Sequence, residues 1–225
     1  MTTAARSASR SLAAVLDHSS GSECGVSRRV YCADELIFRQ EEPADCLFFI
    51  RSGLVRVYLL AEDGRERTVQ ILGPGDIAGD SAFYLHSSHH AYAQAFDGPV
   101  EVYCISRAAF DALTEAQPEL YRSLLRDLAK KMLEMTETIE GQTFKALRER
   151  VQMVLLRIAG TYGRVCPEGV VIEMHLTHEM IASMVGASRS RVSVCLSELQ
   201  REGFYHISDQ HIVLSSWAAG LVLPP

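Results

Sequence analysis

The chain has 225 residues, 48% of them apolar and 22% charged, with a formal net charge of −6. That length allows one large domain or two small ones, and the composition excludes wholesale disorder. No apolar run reaches the ~18 residues of a membrane helix, so no helical membrane span is expected.

The chain opens with a segment, residues 1–25, whose stretch Ala4–Val15 is rich in Ser, Ala and Arg and free of acid. This composition predicts a flexible N-terminal tail, with a transit peptide as the other reading. Residues 26–117 then read as short strands punctuated by turns. Glu35–Phe38, Cys46–Ile50, Val55–Leu60, Arg67–Ile71, Ala91–Ala95 and Val100–Ile105 are strand-sized apolar or alternating runs. Ser52-Gly53, Asp63-Gly64 and Gly73-Pro74-Gly75 supply turn signals between them. Strands about ten residues apart predict a small barrel or roll, and Arg107–Leu113 a short helix.

Residues 118–144 change character. Tyr121, Leu125, Leu128, Met132, Met135 and Ile139 recur at alternating steps of four and three, a heptad seam about three repeats long. A strict, narrow seam predicts self-association, since a helix packed on its own domain presents a wider apolar face.

Residues 145–225 predict a further helix over Ala146–Tyr162, a loop at Gly163–Val165 and a strand at Val170–Met174. Thr177 is placed to cap a helix through its hydroxyl, and Ser188 to cap the next. Gly186 sits where the turn between them needs positive φ. The second helix has Val192, Cys195, Leu196 and Leu199 as its core face. Phe204–Ile207 and His211–Leu214, around Asp209-Gln210, read as a two-stranded wing. Helix, glycine turn and second helix make a helix-turn-helix. The fold class predicted is therefore α+β: an N-terminal antiparallel, cupin-like β-roll, a long dimerisation helix and a C-terminal winged helix-turn-helix.

Charge distribution permits a nucleic-acid site on an acidic chain. From Lys145 onward there are eight Lys or Arg against seven Asp or Glu, about +1, whereas the first 144 residues carry 14 against 21, or −7. A docking face needs only local positive charge. Six cysteines, Cys24, Cys32, Cys46, Cys104, Cys166 and Cys195, form no C-x-x-C pair, which points to a reducing cytoplasm and buried thiols. Their scatter argues against an iron–sulfur cluster. Cys32, Cys46 and Cys104 fall in apolar runs and read as core; Cys24 is the candidate exposed thiol.

The segments Gly53–Tyr58, Asp63-Gly64-Arg65-Glu66, Gly75–Asp80 and Thr177–Gly203 occur in an order and spacing that resembles the Crp/Fnr family of bacterial transcription regulators. The match runs over roughly residues 28–215. The resemblance implies an effector-binding β-roll, a dimerising long helix and a winged helix-turn-helix. Its implied partners are a double-stranded DNA operator, a second copy of the chain and RNA polymerase. It places DNA contacts at Thr177, Ser188, Arg189, Ser190, Arg191 and Ser193. Arg189 keeps a bidentate donor suited to guanine O6 and N7. Arg191, about 200° around the helix from it, is assigned to phosphate. Ser190 and Val194 stand where relatives place a glutamate and a second arginine.

Effector-pocket candidates carried by the resemblance are Gly79, Asp80, His90, Ala91, Met132, Met135 and Thr136. Cyclic-AMP-binding members have Gly-Glu and then Arg-Ser, the arginine facing the phosphate. This chain has Gly79-Asp80, and His90-Ala91 in the Arg-Ser place. Cyclic AMP is therefore not expected as the effector. A neutral or apolar effector, a haem-type cofactor, or no diffusible ligand at all is expected instead. His86, His89 and His90 share one loop and read as surface histidines. The competing function is a metal-dependent, cupin-like enzyme using that loop, since imidazole is a common metal ligand. The cupin pattern of an H-x-H pair followed by a nearby glutamate is absent, and no Ser-His-Asp or P-loop pattern occurs.

Overall fold

The computed structural model of the chain describes Leu16 and residues 25–220. Most of the expected N-terminal tail, Cys24 included, lies outside the described residues. Leu16 itself is fully buried in an apolar cluster with Leu47, Phe49, Tyr103 and Phe110. The chain divides into two compact units, Met1–Leu133 and Glu134–Pro225.

The first unit is built on strands β1 (Val26–Tyr31), β2 (Leu36–Phe38), β3 (Cys46–Leu60), β4 (Glu66–Leu72), β5 (Ile77–Ala78) and β6 (Tyr92–Ser106). All the pairings are antiparallel, in the order β1-β6-β3-β4, with β2 on β6 and β5 on β3. Alternating side chains of β3 and β6 fill an interior of Phe48, Ile50, Val55, Val57, Ala93, Ala95, Val100 and Val102, joined by Ile37 and Phe38 of β2. That is the period-2 pattern of strands with one buried face.

Two expected breaks are not breaks. Ser52-Gly53 lies inside the 15-residue β3, and the gap expected between Ala91–Ala95 and Val100–Ile105 lies inside the 15-residue β6. The ladder shifts register between Ile50 and Leu54 instead of ending. Gly53 is required there. Its φ is 82°, and a Cβ would stand 2.4 Å from the carbonyl oxygen of Pro99, closer than any side chain tolerates. The turn residues therefore bend a continuous ribbon. Asp63-Gly64 does close the β3–β4 hairpin, with Gly64 N donating to Ala61 O at 2.9 Å.

Helix α1 (Asp80–Tyr84) follows β5, and α2 (Arg107–Ala116) follows β6, capped by Ser106 accepting from Ala109 N. Helix α3 (Glu119–Phe144) is the predicted long helix, and the division between the two units falls within it. Its seam is exposed: Leu125 is 66%, Met132 70% and Ile139 65% accessible.

The second unit contains the rest of α3, then α4 (Leu147–Tyr162), β7 (Gly163–Cys166), β8 (Gly169–Ile172), α5 (His178–Val185), α6 (Arg189–Arg201), β9 (Tyr205–Ser208), β10 (His211–Ser215) and α7 (Ser216–Ala219). Residues 163–165, expected as a loop, form β7. The two-stranded wing is thus half of a four-stranded sheet, β7-β8-β10-β9. Asp209 and Gln210 both have positive φ, 47° and 66°, the backbone of a tight primed hairpin turn.

Cys104 and Cys195 are buried, Cys46 and Cys166 partly so, and Cys32 is exposed, against the expectation of a core residue. Cys32 lies just past β1, where the strand has left the sheet. Burial pushes the Cys104 thiol up to about 11, which keeps it protonated and inert.

Candidate nucleic-acid interface and effector pocket

The helix-turn-helix is positioned from below and from both ends. Thr177 Oγ1 accepts from Met180 N at 3.1 Å, satisfying a first-turn donor of α5. Gly186 closes α5 in the left-handed conformation. Arg150 of α4 donates to the carbonyl of Val185 at 3.0 Å, placing a cation at the negative end of α5. Arg148, also on α4, pairs with Glu202 just past α6. Val192, Cys195, Leu196 and Leu199 are buried, as their spacing predicted.

Ser188 occupies the N-cap position of α6, but its side chain makes no capping bond; its hydroxyl meets Ser190 Oγ at 3.2 Å. Ser193 Oγ donates to the carbonyl of Arg189 at 2.9 Å and lies 2.8 Å from His178 Nδ1. A hydroxyl has one proton, so His178 donates through Nδ1 to Ser193. The functional hydroxyls expected at Ser188, Ser190 and Ser193 are therefore engaged within the motif.

The arginines divide sharply. Arg148 and Arg164 are paired with Glu202 and Glu173, and Arg150 and Arg157 donate to Val185 O and Thr138 Oγ1. Arg189 and Arg191 are exposed at the first turn of α6 with no ion-pair partner among the described residues. Two free guanidinium groups thus stand where the second helix begins, with Arg201 exposed at its other end.

In the first unit, the loop Leu85–Tyr92 returns to α1. His89 is 4% exposed, and its ring stacks on Phe38 with centroids 3.8 Å apart at 12°. It also faces Gly79: a Cβ there would lie 2.9 Å from His89 Cε1. The backbone of His89 is tied on both sides, with its N–H donating to Glu42 O and its carbonyl accepting from Glu41 N. Burial holds the imidazole below its ordinary pKa, and His90 adds to that, while Glu42 and Asp45 oppose it. His86 and His90 are exposed. The three histidines do not converge, and among the described residues no group of His, Cys, Asp or Glu is placed to hold a metal ion.

Asp80 is already engaged. Its Oδ2 accepts from Lys131 Nζ at 2.6 Å, and the same ammonium donates to Ile77 O at 2.8 Å. Both side chains are largely buried. Met132, Met135 and Thr136, further along α3, are exposed.

Residues 28–117 match the cyclic nucleotide-binding domain model, and residues 149–219 the Crp-like helix-turn-helix domain. The chain is 28% identical over 179 residues to a CRP-like cAMP-activated global transcriptional regulator of Mycobacterium tuberculosis, covering 80% of each. It is 26% identical over 183 residues to the global nitrogen regulator of a Nostoc species, covering 80% and 82%. Among solved structures it is similar to a CooA mutant of Carboxydothermus hydrogenoformans, at 27% identity and a TM-score of 0.73 over 88% and 86% of the chains. It is also similar to a CRP-family transcriptional regulator of Thermus thermophilus, at 26% identity and a TM-score of 0.70 over 85% and 96%.

The chain belongs to the Crp/Fnr family. It is a DNA-binding transcription regulator with a cyclic-nucleotide-binding-type domain, and relatives of this kind are not enzymes. Within that family frame, one expectation needs correcting. His89, expected at the surface with His86 and His90, is buried and faces Gly79, while His90, which the resemblance matches to the arginine that meets a phosphate, is exposed. Adjacent residues of a loop running into a strand point to opposite sides, so His89 faces in where His90 faces out. Lys131 is the residue that sequence reasoning misses; as a Lys on a polar helix, 51 positions from Asp80, it gives no local signal.

Proposed function

We propose that the protein is a homodimeric, sequence-specific regulator of bacterial transcription, working in the cytoplasm on a double-stranded operator and with RNA polymerase. In this reading residues 26–117 sense an effector, residues 118–144 join two copies, and residues 145–225 bind DNA. The observation that carries the reading is the pair Arg189 and Arg191, free of acidic partners at the start of α6 while Arg148, Arg150, Arg157 and Arg164 are bound. An N-terminal recognition turn with two guanidinium groups suits one guanine edge and one phosphate. The exposed seam along α3 supports the second copy.

The effector proposed is neutral. The side chain against Gly79 is an uncharged imidazole, and the carboxylate of Asp80 is balanced by Lys131. A phosphodiester buried against His89 and Asp80 would meet an uncharged ring and a carboxylate already matched to Lys131, and an unmatched buried charge costs several kcal/mol. Effector binding shifts the packing of two long helices along Leu128, Met132 and Met135, and with it the spacing of the two recognition helices. Selection from a random duplex library with the full-length protein tests the core of this reading. A twofold-symmetric site with half-sites about one helical turn apart is expected; enrichment of no sequence overturns it.

A further inference from the structure

Helix α6 buries Val192, Cys195, Leu196 and Leu199. At 3.6 residues per turn, the ridge opposite that face is Ser190, Val194, Ser197 and Arg201. The two serines on it are committed locally. Ser190 Oγ lies 3.2 Å from Ser188 Oγ, and Ser197 Oγ donates to the carbonyl of Ser193 at 2.9 Å. Val194, between them, is 60% exposed. No packing need of its own unit explains an isopropyl group at the outermost point of a recognition helix, flanked by Arg191 and Glu198. In the major groove of B-DNA the apolar group presented by the bases is the C5-methyl of thymine.

We propose that Val194 reads one thymine in each half-site by methyl contact. This rests on the proposed docking of α6 in the operator, and it gives the recognition helix two base-reading elements of opposite character. Arg189, in the first turn, supplies donors to a guanine edge, and Val194, five residues on and about 140° around the helix, supplies an apolar surface. Ser193 before Val194 and Ser197 after it offer no free proton for discrimination, because theirs are donated to backbone carbonyls.

The test uses the full-length protein and the duplex it selects from a random library. Each thymine of a half-site is replaced in turn by uracil, which removes only the methyl group. Wild type should lose about fourfold in affinity at one position, the equivalent of ~0.8 kcal/mol for one buried methyl-sized group. Val194→Ala, a surface change that should leave thermal stability unaltered, should lose sensitivity at that same position alone. Val194→Arg should replace that thymine by guanine in a fresh selection, since a guanidinium pairs with O6 and N7. A uracil profile identical for wild type and Val194→Ala, on a site both proteins bind, overturns the assignment and leaves the operator reading standing. Enrichment of no site overturns both.

Discussion

The ring of His89 lies flat on the ring of Phe38, 3.8 Å between centroids, and the same imidazole closes against Gly79. An ionisable side chain is thus used as an aromatic packing element, one residue before the position that the resemblance matches to an arginine in relatives that bind cyclic AMP. Its folded-state pKa is depressed below 6.5. The unfolded chain therefore takes up the proton first as pH falls. Stability linked to His89 is complete above about pH 6.5 and is lost as pH drops from there toward the lower folded value. His89→Phe keeps a stacking ring and removes the titration. Its melting temperature should fall less than that of wild type between pH 7.5 and pH 5.5. Parallel pH profiles for the two proteins contradict this account.

Gly79 should tolerate no side chain. Its φ of 79° is left-handed and its Cβ position is filled by His89. Gly79→Ala should cost about 1–3 kcal/mol from backbone strain and displacement of the ring. Denaturant unfolding reads the loss; a neutral effect would mean that the loop moves aside freely.

Lys131 ties α3 to α1 and β5 through Asp80 and the carbonyl of Ile77. Each group left alone would be a largely buried charge. Lys131→Met and Asp80→Asn should each destabilise by about 1.5–3 kcal/mol, the range for hydrogen bonds to charged groups. The double variant should lose clearly less than the sum, because the two share one interaction. Strict additivity in a double-mutant cycle contradicts a functional pair.

The parts of this molecule that are legible in its sequence are those fixed by neighbours close in the chain. The Thr177 cap, the Gly186 turn and the buried spacing of Val192, Cys195, Leu196 and Leu199 are all set within one or two helical turns. The heptad seam is likewise local. What escapes depends on distant partners. Ser52-Gly53 reads as a turn until β6 lies alongside to keep β3 paired through the bend. Which of His89 and His90 faces inward depends on Phe38 and Gly79. Lys131 meets Asp80 only after the chain has passed through β6 and two helices.

The seam of α3 should hold two copies together. Met132 and Ile139 are exposed and sit seven residues apart on one stripe. Met132→Glu with Ile139→Glu places like charges across that stripe in a dimer, at a cost of several kcal/mol where they are buried. Neither change removes a packed side chain of the single chain, so the fold should persist. Sedimentation should then show monomers at micromolar concentration with an unchanged helix signal. A dimer that survives both glutamates excludes this face as the interface.

Arg189 and Arg191 should separate specificity from affinity. Both are exposed at the first turn of α6, but they diverge by about 200° around the helix, so they do not both reach base edges. Arg189→Ala should cost about 1–3 kcal/mol on the preferred duplex and relax selection at one guanine per half-site. Arg191→Ala should weaken all duplexes alike and lower the slope of log affinity against log salt by about one unit for each phosphate no longer neutralised. Fluorescence anisotropy over a range of salt concentrations, on the selected duplex and on a scrambled one, reads both effects. If Arg191→Ala instead changes the selected base and Arg189→Ala changes only the salt slope, the two roles are exchanged and the helix enters the groove rolled toward Arg191. Equal effects of both variants on specific and scrambled DNA would place neither arginine at a base edge.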